Sequence, residues 1–329
     1  MSALAPTLQA FFTERLIRQL QASPHTVAAY RDALKLLLAF AAAHTAKAPC
    51  ELDVDDLDAE LITAFLDHLQ HERGNSVSTR NARFAAIRSL FRFAALRHPE
   101  HAASIQRVLA IPLKRTTRSP ISYLTEEEIA ALLAAPDTTT WTGRRDHALL
   151  ALAVQTGLRA SELTGLRCQD VHLGSGRYVA CHGKGRKDRI TPLTRDTLAV
   201  LRTWMTEQPG QPDEPLFPTR RGTALSRDAL ERRLALYHRR AAQACPTLTA
   251  KKLTAHTLRH SAAMRLLHAG IDTSVIALWM GHERVDTTQV YLHADLKLKE
   301  RAINRTTPPN TRPGRYQPPD AVLAFLDEL

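Results

Sequence analysis

The chain has 329 residues, 44% of them apolar, and carries 44 Lys and Arg against 33 Asp and Glu, a net charge of +11. That length exceeds one small core and points to two domains, and the cationic surplus favours a polyanionic partner. No run approaches the ~18 apolar residues of a membrane span, the N-terminus lacks a basic-then-apolar signal, and Cys50, Cys168, Cys181 and Cys245 are too scattered for a disulfide framework or zinc ribbon; a soluble cytoplasmic protein is expected.

The first hundred residues read as helices only. Ser23 and Pro24 form a cap and first-turn proline, after which Tyr30, Leu34, Leu37 and Ala41 recur at helical spacing. Asp58 to Gln70 gives a second helix with the stripe Leu61, Ile62, Phe65 and Leu69, closed by Gly74-Asn75. Ser76 opens a third, in which Phe84, Ile87, Phe91 and Ala94 face a core while Asn81, Arg88 and Arg92 point elsewhere. From Arg73 to Arg118 there are ten Lys or Arg and one acid, Glu100, so Arg80, Arg88, Arg92, Lys114 and Arg115 are candidate phosphate contacts. Residues 112–122, with Pro112 and Pro120, read as a basic linker.

Thr125 followed by Glu126, Glu127 and Glu128 looks like a capped helix start and opens a second domain over residues 123–305. Only Val171 to Leu193 departs from helix: Tyr178 to Cys181 and Ile190 to Leu193 flank a basic, glycine-rich turn and read as a small antiparallel sheet. Helices resume at Thr194 and cover Ser226 to Ala244, Thr257 to His268 and Thr273 to Met280. Beyond Arg305 a Pro-rich spacer leads to the short apolar segment Ala321 to Leu329.

Six polar residues of this second half suit phosphate chemistry. Arg159 follows Gly157 and Leu158, and its planar fork can hold two phosphate oxygens; Glu162, three residues on, could orient it. Lys184 sits between glycines in the predicted hairpin turn with Arg186 and Lys187, without the spacing of a nucleotide-binding P-loop. His256 and Arg259 share a face near the positive start of a helix. His260 completes a His pair at zinc-like spacing, but the glutamate of a His-Glu-x-x-His site is missing and Arg259 would repel a cation, so no metal is expected and His260 reads as a supporting residue. His282 follows Gly281, and Tyr291 sits in the segment Asp286 to His293, which starts like a capped helix; a tyrosine with an ordinary pKa near 10 needs such cationic neighbours to act as a nucleophile.

In this chain order, Arg159, Lys184, His256, Arg259, His282 and Tyr291 resemble the tyrosine recombinase (phage integrase) family, and residues Thr7 to Leu96 resemble its core-binding domain. Met280 stands where the family commonly has Leu before Gly-His, a near-isosteric change. The resemblance implies a mainly α fold: a four-helix core-binding (SAM-like) domain over residues 1–111, a linker over 112–122, a mostly α catalytic domain with a small antiparallel β-sheet over 123–305, and a spacer with exchange helix over 306–329. It implies that Tyr291 forms a 3′-phosphotyrosine, Arg159 and Arg259 hold the non-bridging oxygens, Lys184 protonates the leaving 5′-oxygen, His256 assists proton transfer and His282 hydrogen-bonds the phosphate, with no cofactor. It further implies double-stranded DNA sites as partner, a homo-tetramer on two sites with tail exchange between subunits, no membrane partner, and a nucleoid location. The expected function is site-specific recombination for integration and excision of a mobile element; a type IB topoisomerase-like activity, Xer-type multimer resolution and DNA binding without catalysis are the alternatives.

Overall fold

A computed structural model of the chain describes residues 4–116, 121–174, 176–182 and 188–281. Two compact units form, Met1–Ser119 and Pro120–Leu329.

In the first unit, α1 (Leu4–Ala10) runs into a π-helical stretch (Phe11–Gln19) and is followed by α2 (Pro24–Thr45), α3 (Ala59–His71), α4 (Val77–Ala94) and α5 (Ala102–Ala110). Three starts are fixed by side-chain caps: Ser23 accepts from the Thr26 N–H, Asp58 from Leu61 and Ser76 from Thr79. Leu34, Leu37 and Ala41 of α2, Leu61, Ile62, Phe65 and Leu69 of α3, and Phe84, Ile87, Phe91 and Ala94 of α4 are buried in one core, while Tyr30 is half-buried. Phe11 completes that core, its ring 5.7 Å from Phe93 and 6.3 Å from Tyr30. This first helix was not singled out in the sequence because the wider π turn breaks the 3.6-residue apolar spacing. After α5, Lys114 Nζ donates to Gln70 at 2.8 Å and pairs with Asp67 at 3.4 Å, while Asn81 donates to the Lys114 carbonyl at 2.8 Å. This part of the segment read as a linker therefore lies on α3 and α4.

The second unit begins with α6 (Glu126–Ala134), whose Thr125 and Glu128 form a reciprocal capping box, then α7 (Trp141–Thr156) and α8 (Ala160–Gly165). Strands β1 (Val171–His172), β2 (Tyr178–His182) and β3 (Asp188–Pro192) form an antiparallel sheet in that order, with Cys181 opposite Arg189 and Val179 opposite Thr191. Among the described residues, four helices follow: α9 (Arg195–Glu207), α10 (Arg227–Ala244), α11 (Ala255–His268) and α12 (Thr273–Met280). The core gathers Leu149, Leu152, Leu163, Leu198, Trp204, Leu230 and Leu234, and a smaller cluster of Ala263, Met264, Leu267, Ile276 and Met280 joins α11 to α12. Helix α11 is central: between residues 257 and 264 only His260 is not fully buried. Ser261 anchors it by accepting the Leu124 N–H and donating to the Thr257 carbonyl, both at 2.8 Å. Among the described residues, no helix is long and apolar enough to cross a membrane.

Candidate active site

The end of α7 sets the site. Gly157 caps that helix in the left-handed region (φ 64°), and the turn it permits delivers Arg159 to the start of α8. A Cβ on Gly157 would lie 2.8 Å from Met280 Cε, so the absence of a side chain lets α12 approach closely. Helix α12 itself ends on a second left-handed glycine, Gly281 (φ 61°).

Arginines converge on that helix end from three elements. Arg159 Nη2 donates to the Gly281 carbonyl at 2.8 Å, Arg189 Nε from β3 donates to the Trp279 carbonyl at 3.1 Å, and Arg259 Nη2 from α11 donates to the Met280 carbonyl. Arg259 Nη1 also donates to the Gly157 carbonyl at 2.7 Å, joining both helix ends. The last carbonyls of a helix lack intrahelical donors and carry partial negative charge, so a cationic cap suits them.

Glu162 holds the arrangement from below. Its side chain is only 3% exposed, which separates it from the surface Arg-Glu pair that the spacing alone would allow. Oε1 accepts from Arg159 Nη1 at 2.8 Å and Arg189 Nη1 at 3.0 Å, while Oε2 accepts from the Arg159 backbone N–H and Arg189 Nη2, each at 2.8 Å. Burial opposes this charge, but Arg189 above all and Arg159 overcome it, and the carboxyl is pulled down to about 2. Arg159 keeps 31% of its side chain exposed and so can still meet a ligand, whereas Arg259 is buried.

His256 lies beside this cluster near the N-terminus of α11, exposed, with its pKa lowered by partial desolvation and by Arg259, Arg227 and Arg159. His260 meets it edge-on at 5.5 Å and is pushed down to about 4, first by burial and then by His256 and Arg259. Both rings therefore favour the neutral form. Among the described residues, no group of three His, Cys, Asp or Glu side chains is placed to hold a metal ion.

The structure thus brings together Arg159, Glu162, His256, Arg259 and His260. Lys184, Arg186, Lys187, His282 and Tyr291 lie outside the described residues, although the chain leaves the cluster at Gly281, directly before His282. Of the candidate DNA contacts, Arg92 and Arg115 are exposed, Arg88 is half-buried over the Phe84 ring at 5.7 Å, and Lys114 is held by Gln70 and Asp67. Arg80 differs, being 3% exposed, with Nη1 on Asn81 and Nε without a partner.

Sequence reasoning missed Arg189. Strand β3 alternates in reverse of the usual rule: Ile190 is 64% exposed, while Arg189 and Thr191 turn inward. The buried carboxylate of Glu162 and the Trp279 carbonyl receive the inward guanidinium, and a strand pattern carries no sign of either.

Comparison with known proteins bears on the same residues. The profile described as the phage integrase family matches residues 122–297, and that of the phage integrase N-terminal SAM-like domain matches residues 10–98. The chain is 50% identical over 328 residues to y4rC of Sinorhizobium fredii (strain NBRC 101917 / NGR234), a protein named as an integrase/recombinase, covering 100% of this chain and 99% of that one. It is 33% identical to the tyrosine recombinase XerC of Xanthomonas campestris pv. campestris (strain B100), over 90% of this chain and 85% of that one. Its fold resembles that of the XerH site-specific recombinase bound to difH substrate, with TM-score 0.65, 23% identity and coverage of 87% and 81%. It also resembles the Tn1549 transposon integrase in complex with circular intermediate DNA, with TM-score 0.68, 16% identity and coverage of 91% and 99%. A chain matched across both units by these profiles and along its whole length by such a relative belongs to the phage integrase family, the tyrosine recombinases.

Proposed function

We propose that this enzyme cuts and rejoins double-stranded DNA at specific sites through a 3′-phosphotyrosine on Tyr291. The observation that carries the reading is the pairing of Arg159 and Arg259 on the carbonyls of Gly281 and Met280, immediately ahead of His282, which itself precedes Tyr291 by nine residues. The Tyr291 oxygen attacks phosphorus and the bond to the 5′-oxygen breaks; Lys184 supplies the proton that makes the leaving group a 5′-hydroxyl. Arg159 and Arg259 neutralise the non-bridging oxygens, His256 in its neutral form takes up the phenolic proton, and His282 donates to the phosphate. A 5′-hydroxyl from a second strand reverses the step, so phosphodiester energy is conserved without a nucleotide cofactor.

The basic first unit, through Arg88, Arg92 and Arg115, clamps the duplex with residues 112–122 as the connection, and a homo-tetramer holds two sites, exchanging the segment from Ala321 to Leu329 between subunits. The biological role is integration and excision of a mobile element, in a soluble, nucleoid-associated protein. Incubation with a library of nicked duplexes of random sequence, followed by denaturing capture of protein-bound DNA, tests the chemistry. Covalent adducts enriched in one sequence and abolished in Tyr291→Phe are expected. No adduct, or one that survives Tyr291→Phe, refutes the nucleophile; supercoil relaxation without sequence preference points instead to a topoisomerase, and capture of a chromosomal dimer-resolution site to multimer resolution.

A further inference from the structure

One guanidinium outside the six motif residues joins strand β3 to the start of α8 and the end of α12. Arg189 sits at the start of β3, directly after the turn that holds Lys184; its Nη1 and Nη2 grip the same Glu162 carboxylate that grips Arg159, and its Nε holds the Trp279 carbonyl three residues before His282. All three of its nitrogens donate within the protein, two of them to a carboxylate that offsets its charge, and its side chain is 12% exposed. The backbone is shaped around it: a Cβ on Gly281 would lie 2.9 Å from Arg189 Nη1 and 3.1 Å from its Cζ, and Gly281 is also left-handed.

We infer that Arg189 is a positioning residue that locks strand β3, Arg159 and the end of α12 ahead of His282 into one frame, so that phosphate binding and nucleophile placement are coupled through it. The inference rests on the recombinase reading above. A rigid frame of this kind acts on the reaction rate rather than on affinity, because misplacement of reacting groups by about 1 Å costs about 100-fold. Lysine at this position keeps the charge beside Glu162 but cannot reach the carboxylate and the Trp279 carbonyl together.

The test uses the full-length protein as Arg189→Lys and Arg189→Ala. Single-turnover adduct formation at saturating DNA should fall by about 10- to 100-fold in Arg189→Lys, while equilibrium DNA binding, measured in the Tyr291→Phe background, stays within about twofold. Gly281→Ala, which drives a methyl into the same guanidinium, should reproduce that split. A wild-type rate in Arg189→Lys overturns the inference, as does a loss of binding equal to the loss of rate, which would make Arg189 a DNA contact. Hydrogen exchange at Trp279 to Gly281 without DNA provides a second reading should Arg189→Ala fold poorly: faster exchange in Arg189→Lys is expected, and unchanged exchange overturns the frame. If the wild type forms no adduct, the recombinase reading fails, and exchange alone decides the coupling.

Discussion

Replacing Glu162 by Gln should destabilise the second unit by an amount the structure fixes and acid removes. The carboxylate accepts four N–H donors from two guanidiniums and one backbone amide, a set that Gln cannot satisfy, since one of its two terminal atoms is itself a donor. The fall of the Glu162 pKa from its ordinary 4.5 to about 2, at ~1.36 kcal/mol per pH unit, corresponds to about 3 kcal/mol of native-state stability at neutral pH. Because the folded pKa lies below the unfolded one, that stability is complete above the unfolded value and is lost as pH falls towards 2, shrinking to about 1.5 kcal/mol at pH ~3. The assay is urea unfolding followed by tryptophan fluorescence, which reports this unit alone since Trp141, Trp204 and Trp279 all lie in it. At pH ~7 the variant should unfold about 3 kcal/mol sooner, or about 6 to 12 °C lower in Tm, and the gap should roughly halve by pH ~3. A gap below about 1 kcal/mol, or one that does not change with pH, would refute the view of Glu162 as the buried anion of an arginine frame.

Three further outcomes follow from other parts of the same unit. Gly157→Ala combines an unfavourable left-handed backbone with a contact of 2.8 Å to Met280, and should cost about 1 to 3 kcal/mol in urea unfolding; adding Met280→Ala relieves the contact but not the backbone, so complete recovery would contradict this division. Tyr237 donates to the buried Asp146 at 2.6 Å, beside Arg145 and Arg233, so Tyr237→Phe should lose about 1.5 to 3 kcal/mol, and a loss below about 0.5 would show that the arginines suffice. His260, held near 4 when folded, takes up a proton near 6.5 once unfolded, so stability should decline as pH falls from about 6.5 towards 4; His260→Gln should flatten part of that decline, the rest belonging to His256, and NMR titration of the His260 ring above pH ~6 would contradict the burial argument.

The helices that carry the fold were legible where local chemistry decides them. Ser23, Asp58, Ser76, Thr125 and Thr194 each cap a helix at the predicted place, because a cap is a contact within three residues and is written in the sequence itself. The helix over residues 4–19 escaped because its π turn shifts Phe11 and Leu16 out of register, and α11 begins two residues before the Thr257 expected, since Thr254 is its cap. Arg159, Glu162, His256, Arg259 and His260, which the structure brings together, were each legible in local sequence, but Arg189 was not, since it meets a carboxylate 27 positions away. Local patterns cannot record that meeting, and Ile190 beside it even suggests the opposite face.

Charge explains why this frame folds and why, in the proposed reaction, it suits a phosphate. Arg159, Arg189 and Arg259 bring three positive charges to one helix end, against the single negative charge of Glu162 and the partial charge of the α12 C-terminus, about half an elementary charge. About one and a half positive charges are left without an internal counterpart. Arg189 is offset by the Glu162 carboxylate, whereas Arg259 lies on neutral carbonyls and Arg159 keeps part of its side chain exposed, so in the proposed reaction these two carry the excess. A phosphodiester carries one negative charge, and the pentavalent state formed on attack carries more, so the same excess favours the transition state over the bound substrate. Placing the cations on backbone carbonyls rather than on further acids keeps them oriented without cancelling them. A second carboxylate beside Glu162 would stabilise the fold and remove the field on which the chemistry depends.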